Sequence, residues 1–321
     1  MSVSIKKSNR ESHLILGGGG FIGQHVAAIL ARQGHEVIVA GRSASKPAFA
    51  SDIDELIKWR HFDLECAPWD SLIEGVTVIH HYAWSSVPAS ANEDPILDLS
   101  KNVLPTVGLL EALRKKGRQA AKLIFASSGG TVYGKPLHLP IHENHPLNPI
   151  NAYGAGKAAV EMYLGAYRAV YGLDCRVARL ANPFGAGQDL TKGLGAATTF
   201  IHNALSHLPL VIWGDGEIIR DFIHISDAAA GLVALAGAAP MDGHWVFNIG
   251  SGQGVSLNAI IVELESKLRY RIDVSYRQGR KFDVPVSVLD ISLIRETLGW
   301  RPLLSFSEGV TKTLTDLGRT V

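Results

Sequence analysis

The sequence predicts an α/β protein: a doubly wound parallel sheet with a smaller C-terminal lobe interleaved with it. Three observations point that way. Short apolar runs alternate with longer helical patterns through the first half. A glycine cluster joins the first apolar run to the first helical one. From about residue 182 the texture changes to short elements punctuated by Gly, Pro and Asn. Alternating strand and helix patterns favour right-handed βαβ units whose sheet is covered on both faces.

The opening residues 1–12, MSVSIKKSNRES, are polar and read as a flexible leader without the apolar core of a secretory signal. Strands are expected at HLILG (13–17), EVIVAG (36–41), VTVIHHYA (76–83), AKLIFAS (121–127) and LDCRVARL (173–180), and helices at 21–33, 98–116 and 152–171. Residues 13–181 then form a dinucleotide-binding domain, to which 222–250 returns, VFNIG (246–250) as a candidate strand. Residues 182–221 and 251–321 form the second lobe. The chain has 321 residues, 46% of them hydrophobic, with a net charge of +1, so neither nucleic acid nor an anionic membrane is an expected partner. Two cysteines, Cys66 and Cys175, suggest no disulfide framework and fit a reduced cytoplasm. The Ala-rich run from Ala228 to Met241 is short of the about 20 residues a bilayer takes and reads as a buried helix.

LILGGGGFIGQHVAAILARQG carries the strongest chemistry. Glycines after a strand let the backbone approach a pyrophosphate, and the following helix offers uncovered N–H groups and a favourable dipole. Gly18-x-Gly20-x-x-Gly23 fits the Rossmann spacing and Gly17-x-x-Gly20-x-x-Gly23 the short-chain dehydrogenase spacing, so the register stays open. The second strand ends in Gly41-Arg42, where an acidic residue would hold the adenosine ribose of NAD. Arg42 can meet the 2′-phosphate of NADP, or can stack on adenine or face solvent, and these readings stay open.

Downstream, NAYGAGK gives Tyr153-x-x-x-Lys157 at the start of a helical pattern, phenol and ammonium on one face. A nearby ammonium is expected to lower the phenol pKa toward that of a working base. At this point the chain resembles the extended short-chain dehydrogenase/reductase family, specifically its nucleotide-sugar epimerases and dehydratases. GGGGFIG, Asp63-Leu64, IHHYA, SSVPAS, KNVLPT, FASSGGTVYG, the Tyr-Lys pair, RLANPFG, WGDGEIIRDFIHISD, RQGRKFDVP and LGWRP follow in the family's order.

The resemblance makes Tyr153 and Lys157 catalytic, together with a hydroxyl from FASSGGTVYG. Counting back from Tyr133 without a gap puts Gly129 at that position; one extra glycine puts Ser128 there. Ser128 is preferred because glycine cannot donate a hydrogen bond, with Ser127 and Thr131 as the fallback donors. Related 4,6-dehydratases place an Asp-Glu pair after the catalytic Thr, where this chain has Gly129 and Gly130, so dehydration is not expected.

The same resemblance implies that Gly17, Gly20, Phe21, Ile22, Gly23, Arg42, Asp63, Leu64, Tyr82, Ala83, Asn102, Ser127, Tyr153, Lys157 and Ala181 line the dinucleotide. It implies that Ser86, Ser128, Asn182, Arg220, Arg280, Asp283 and Ser287 hold a nucleoside diphosphate sugar, with small Ser287 admitting an N-acetyl group. The turn WGDG (213–216) favours UDP. No metal is implied: His138, His142 and His145 with Glu143 lie in a Pro-rich loop without helical spacing. Family members dimerise through the 98–116 and Tyr153 helices, so a homodimer is expected. The expectation is an NAD-dependent UDP-sugar 4-epimerase. Its rivals are an NADPH-dependent nucleotide-sugar ketoreductase, favoured by Arg42, and a non-catalytic dinucleotide sensor.

Overall fold

The computed structural model describes residues 10–192, 195–239, 243–279 and 284–319, among which thirteen strands form three sheets. The main sheet takes β1 (Ser12–Leu16), β2 (Glu36–Gly41), β3 (Ile57–His61), β4 (Val78–His81), β5 (Lys122–Ser128) and β6 (Cys175–Leu180). The second lobe contributes β7 (Asn182–Phe184), β8 (Leu210–Trp213) and β9 (Ile219–His224). After these come β10 (Val246–Ile249), β11 (Gly254–Ser256), β12 (Val274–Arg277) and β13 (Val286–Ser287). The main sheet is wholly parallel in the order β10-β6-β5-β4-β1-β2-β3. The VFNIG segment thus does return, as the strand beside β6.

Both faces of this sheet are covered. Ile15, Val37 and Val39 pack with Val26 and Leu30 of the Phe21–Arg32 helix and Leu232 of the Ile225–Gly237 helix. Leu14, Leu16 and Ile38 alternate to the other face and meet Leu109 and Leu113 of the Leu104–Lys116 helix and Val160 and Leu164 of the Ala152–Tyr171 helix. A separate core of Phe184, Phe200, Ile212, Phe222, Leu264 and Leu314 holds the second lobe. There β9 pairs with β7, β11 and β13, while β8 pairs with β12.

Some boundaries differ from the pattern reading. Residues 1–9 of the expected leader lie outside the described residues, and its last residue, Ser12, opens β1 by pairing with Glu36. The helix expected over 98–116 is divided: Pro95–Asp98, then a wider π-type turn over Leu99–Val103, then Leu104–Lys116 with Pro105 in its first turn. The backbone stays helical through Asp98, Leu99, Val103 and Leu104, so Pro105 lies within one continuous run, and the wider turn just before it accommodates the proline's ring and missing N–H.

The Ile225–Gly237 helix ends against two cations from the sheet. Arg176, 1% exposed, donates to the carbonyls of Leu235 (2.7 Å), Ala238 (2.8 Å) and Ala239 (3.0 Å) and pairs with Asp174 at 2.9 Å. Lys122 donates to Ala236 at 2.6 Å and Ala238 at 3.1 Å. Helix C-termini leave carbonyls unmet and carry partial negative charge, so both ends of the interaction are satisfied. Arg176→Met removes these donors while keeping an apolar stem, and should cost about 3 kcal/mol, the scale of breaking a buried charged network. Chemical denaturation of the two proteins measures the loss.

Candidate active site

The glycine loop is shaped by contact. Gly17 has φ +80°, and a Cβ on it would lie 2.8 Å from the Ala83 nitrogen at the end of β4. A Cβ on Gly18 would meet Val39 at 2.5 Å, and one on Gly23 would meet the Gly17 carbonyl oxygen at 2.5 Å. Glycines of both candidate spacings are therefore sterically required, which is why the sequence could not choose between them. Gly20 caps the Phe21–Arg32 helix without a side-chain bond, leaving its first N–H groups clear of any side chain. An uncapped helix N-terminus behind a loop that any Cβ would fill fits the pyrophosphate of a dinucleotide.

Phe21 and Ile22 open that helix, partly buried. Tyr82 extends the sheet by donating its N–H to Leu16 at 3.0 Å, and Ala181 does so toward Ile249 at 2.9 Å. Gly41 is closed over by Trp59, 2.9 Å from a would-be Cβ, and Arg42 follows it exposed. Asp63 accepts the Glu65 N–H at 3.1 Å, beside buried Leu64.

Tyr153 and Lys157 enter on the Ala152–Tyr171 helix, which Asn151 caps by accepting the Gly154 N–H at 2.8 Å. Two glycines bring this helix close. A Cβ on Gly154 would lie 2.7 Å from the Thr131 carbonyl oxygen, and one on Gly156 would lie 2.9 Å from Asp98 Oδ2. Lys157 is buried: its Nζ donates to the Ala126 carbonyl at 2.8 Å and stands 3.8 Å from the Trp84 ring centre and 4.7 Å from that of Phe125. Tyr153 packs edge-on against Trp84, ring centres 6.1 Å apart. Ser128 ends β5 two residues beyond the carbonyl that anchors Lys157, and among the described residues its hydroxyl has no protein partner.

The expected electrostatics need correction. Burial, and then the Asp98 carboxylate, push the Tyr153 phenol above the ordinary tyrosine value. Burial draws Lys157 down to about 7, against the Asp98 and Glu161 carboxylates that raise it. Lys157 Nζ lies 5.8 Å from the Tyr153 ring centre, is itself pulled toward neutrality, and is not among the groups that shift the phenol.

Asp98 is the residue the sequence reading missed. It is 3% exposed and accepts from Ser86 Oγ and from Asn102 Nδ2 at 2.9 Å. Its signal was an acid four residues before Asn102 in one helical run, hidden by an expected helix start at Asp98 itself.

Several assigned side chains have protein partners instead. Asn102 accepts the Ser85 N–H at 2.7 Å and braces the segment after β4. Ser86 Oγ is shared between Asp98 and Trp84 Nε1. Ser127 Oγ is bonded to Glu161, which Arg179 Nη2 pairs at 2.6 Å, so this fallback hydroxyl already has a protein partner. Thr131 Oγ1 is buried without a partner. Arg179 also reaches Tyr133 Oη at 2.9 Å, and Tyr133 donates to Asn248 at 2.7 Å, locking the loop's rear. Of the Pro-rich histidines, His145 accepts the Leu137 N–H at 3.0 Å, and Glu143 accepts the Asn248 N–H at 2.8 Å.

In the second lobe, Arg220 and Ser287 stand opposite each other on β9 and β13. Arg220 donates to the Val284 carbonyl at 2.6 Å, and Ser287 is 4% exposed. Asn182 donates to the Asp221 carbonyl at 3.0 Å, with its Oδ1 beside Gly130 of the catalytic loop. Arg280 and Asp283 lie outside the described residues.

A glycine-loop parallel sheet with Ser128, Tyr153 and Lys157 at its carboxyl edge defines a nicotinamide-dependent protein of the extended short-chain dehydrogenase/reductase class. The chain belongs to the NAD dependent epimerase/dehydratase family, which it matches over residues 13–250. It is 33% identical over 307 residues to the UDP-glucose 4-epimerase of Mycolicibacterium smegmatis, covering 94% of this chain and 96% of that protein. Its fold is similar to the Thermotoga maritima UDP-glucose 4-epimerase with UDP-glucose, with a TM-score of 0.86 and 30% identity over 96% of this chain and 98% of that one. The Thermus thermophilus UDP-glucose 4-epimerase in complex with NAD matches with a TM-score of 0.86 and 28% identity, over 97% and 100% of the two chains. NAD is the family's cofactor, and the glycine loop fits it.

Two expectations follow from the buried charges. Removing a like charge favours the phenolate, so Asp98→Asn should move the acid limb of the pH–rate profile to lower pH; steady-state rates across pH measure it. Lys157→Met should melt above the parent in cofactor-free protein, because a buried ammonium is costly. That gap should narrow as pH rises from about 7 toward the ordinary lysine value, where the parent sheds the charge in both states. Differential scanning calorimetry at several pH values checks both the sign and the window.

Proposed function

We propose that this protein is a nucleotide-sugar 4-epimerase acting on a UDP-hexose or UDP-N-acetylhexosamine. One observation carries the reading. A partner-free Ser128 hydroxyl and the Tyr153-Lys157 helix lie at one sheet edge, and Gly129 and Gly130 follow the hydroxyl where elimination would need an acid.

NAD, when bound, supplies the acceptor and donor of a hydride. The protein's share is proton handling and orientation. Tyr153 takes the proton from the C4 hydroxyl oxygen and returns it, so the sugar passes through a 4-keto state. Ser128 donates a hydrogen bond to that oxygen as charge develops on it. Lys157 orients the cofactor side of the site from its seat on the Ala126 carbonyl and Trp84. Asn182 and Arg220, with Arg280 and Asp283, hold the nucleoside diphosphate, and Arg suits it through its forked donors. Small Ser287 leaves room for an N-acetyl group. A homodimer is supported by exposed Leu99, Leu104 and Met162 on the helices expected to pair.

The test is proton NMR of UDP-glucose, UDP-galactose and their N-acetylated counterparts incubated with the protein and no added dinucleotide. Interconversion at C4 is expected. Tyr153→Phe should abolish it, and Ser128→Ala should slow it by about 10²-fold, the scale of one oriented donor. Conversion that consumes NADPH stoichiometrically, or none at all, overturns the reading. Near-normal turnover in Ser128→Ala would pass the donor role to Thr131.

A further inference from the structure

At the amino edge of the main sheet, away from the catalytic loop, Glu11, His13 and His35 converge. The metal-ligating atoms they offer all lie within 4.8 Å of one another. The register explains the meeting: Glu11 and His13 share one face of the first strand, and Ser12 pairs with Glu36, which sets His35 opposite Glu11. His13 is 1% exposed, and its Nε2 has no hydrogen-bond partner. That nitrogen faces the Glu11 carboxylate at 3.7 Å, too far for a hydrogen bond. A buried polar atom left unmet destabilises the fold unless something comes to meet it.

The other ring nitrogen of His13 is engaged. Its Nδ1 lies 3.0 Å from His80 Nε2, and His80 Nδ1 lies 2.8 Å from the Tyr82 hydroxyl. A neutral imidazole has one donor and one acceptor nitrogen, so this chain can run in two directions. With the lone pair of His13 on Nε2, its Nδ1–H donates to His80, and the Nδ1–H of His80 donates to Tyr82. A metal-bound histidine uses that arrangement, its far N–H held by a second group.

We propose that Glu11, His13 and His35 form a binding site for a zinc-like divalent transition-metal cation, with a remaining coordination position open to water. Two imidazoles and a carboxylate suit such a cation. Bonds of 2.0–2.2 Å at a tetrahedral angle set ligand atoms about 3.4 Å apart, close to the Glu11–His13 spacing of 3.7 Å. Glu11 and His35 are partly exposed, so they have room to close and give the cation a way in. His35 Nδ1 accepts the Glu11 N–H in a long 3.3 Å bond, which holds the ring beside Glu11. The Lys122 ammonium opposes a cation from β5, but it is turned onto the Ala236 and Ala238 carbonyls. Binding at Nε2 would also fix the tautomers of His13 and His80, and with them the orientation of the Tyr82 hydroxyl.

The experiment is titration of the chelator-stripped full-length protein with Co²⁺, followed by its visible absorption, and with Zn²⁺, followed by calorimetry. One cation per chain is expected, with the spectrum of a histidine-ligated Co²⁺ centre. His35→Ala and Glu11→Gln, both at partly exposed positions, should each weaken binding by about tenfold or more while keeping the parent's circular dichroism. Absence of a stoichiometric site in the parent overturns the proposal. So does binding of equal affinity in both variants, which would assign the cation to other histidines among the chain's 13.

Discussion

All strands of the main sheet run the same way, and that constraint sorts the polar residues of the chain into two populations. Carboxyl ends collect the glycine loop, Tyr82, Ser85, Ser128 and Ala181 on one edge. Amino ends collect Glu11, His13, Lys122 and Arg176 on the other. In the first population Ser128 keeps a hydroxyl without a protein partner among the described residues, while Ser85 is bonded to Asn102 and Tyr82 to His80. The second is consumed by helix carbonyls and by itself. An antiparallel arrangement would have mixed the two, and neither edge would carry one kind of chemistry.

The catalytic edge is assembled against its own stability. Lys157 is buried among Trp84 and Phe125 with only a carbonyl to bond, and Tyr153 is half-buried near a carboxylate that opposes its ionisation. Both groups are held away from the charge states that chemistry would use, so bringing them into play requires a change in their surroundings. The supporting frame is of the opposite kind. Glu161, Arg179, Tyr133 and Asn248 satisfy one another completely enough to hold the loop from behind, where a half-satisfied network would let it drift.

How legible this was in the sequence depended on how local each cause is. The glycine loop could be read because its constraint is steric and lies within a strand, a turn and a helix. Tyr153 and Lys157 could be read because a helix fixes residues four apart on one face. Ser127, Ser86 and Asn102 were assigned to ligands because their partners, Glu161 and Asp98, become neighbours only through packing. β3 was not marked by the pattern: IKWRH buries only Ile57 fully, as an edge strand does, so no apolar run announces it. The Glu11, His13 and His35 cluster was invisible for the same reason, since one of its members comes from the neighbouring strand.

The return of β10 to the sheet has a bearing on how the chain reaches this state. β6 is complete at Leu180, yet its outer neighbour ends at Ile249, after much of the second lobe has been made. During synthesis β6 must therefore wait as an unprotected edge, with Arg176 lacking the helix carbonyls that later receive it. An open strand edge of a large parallel sheet invites pairing with another chain. The late-arriving Ile225–Gly237 helix and β10 thus act as a closing seam, and the interval before they dock is when a nascent chain is most exposed to misassembly.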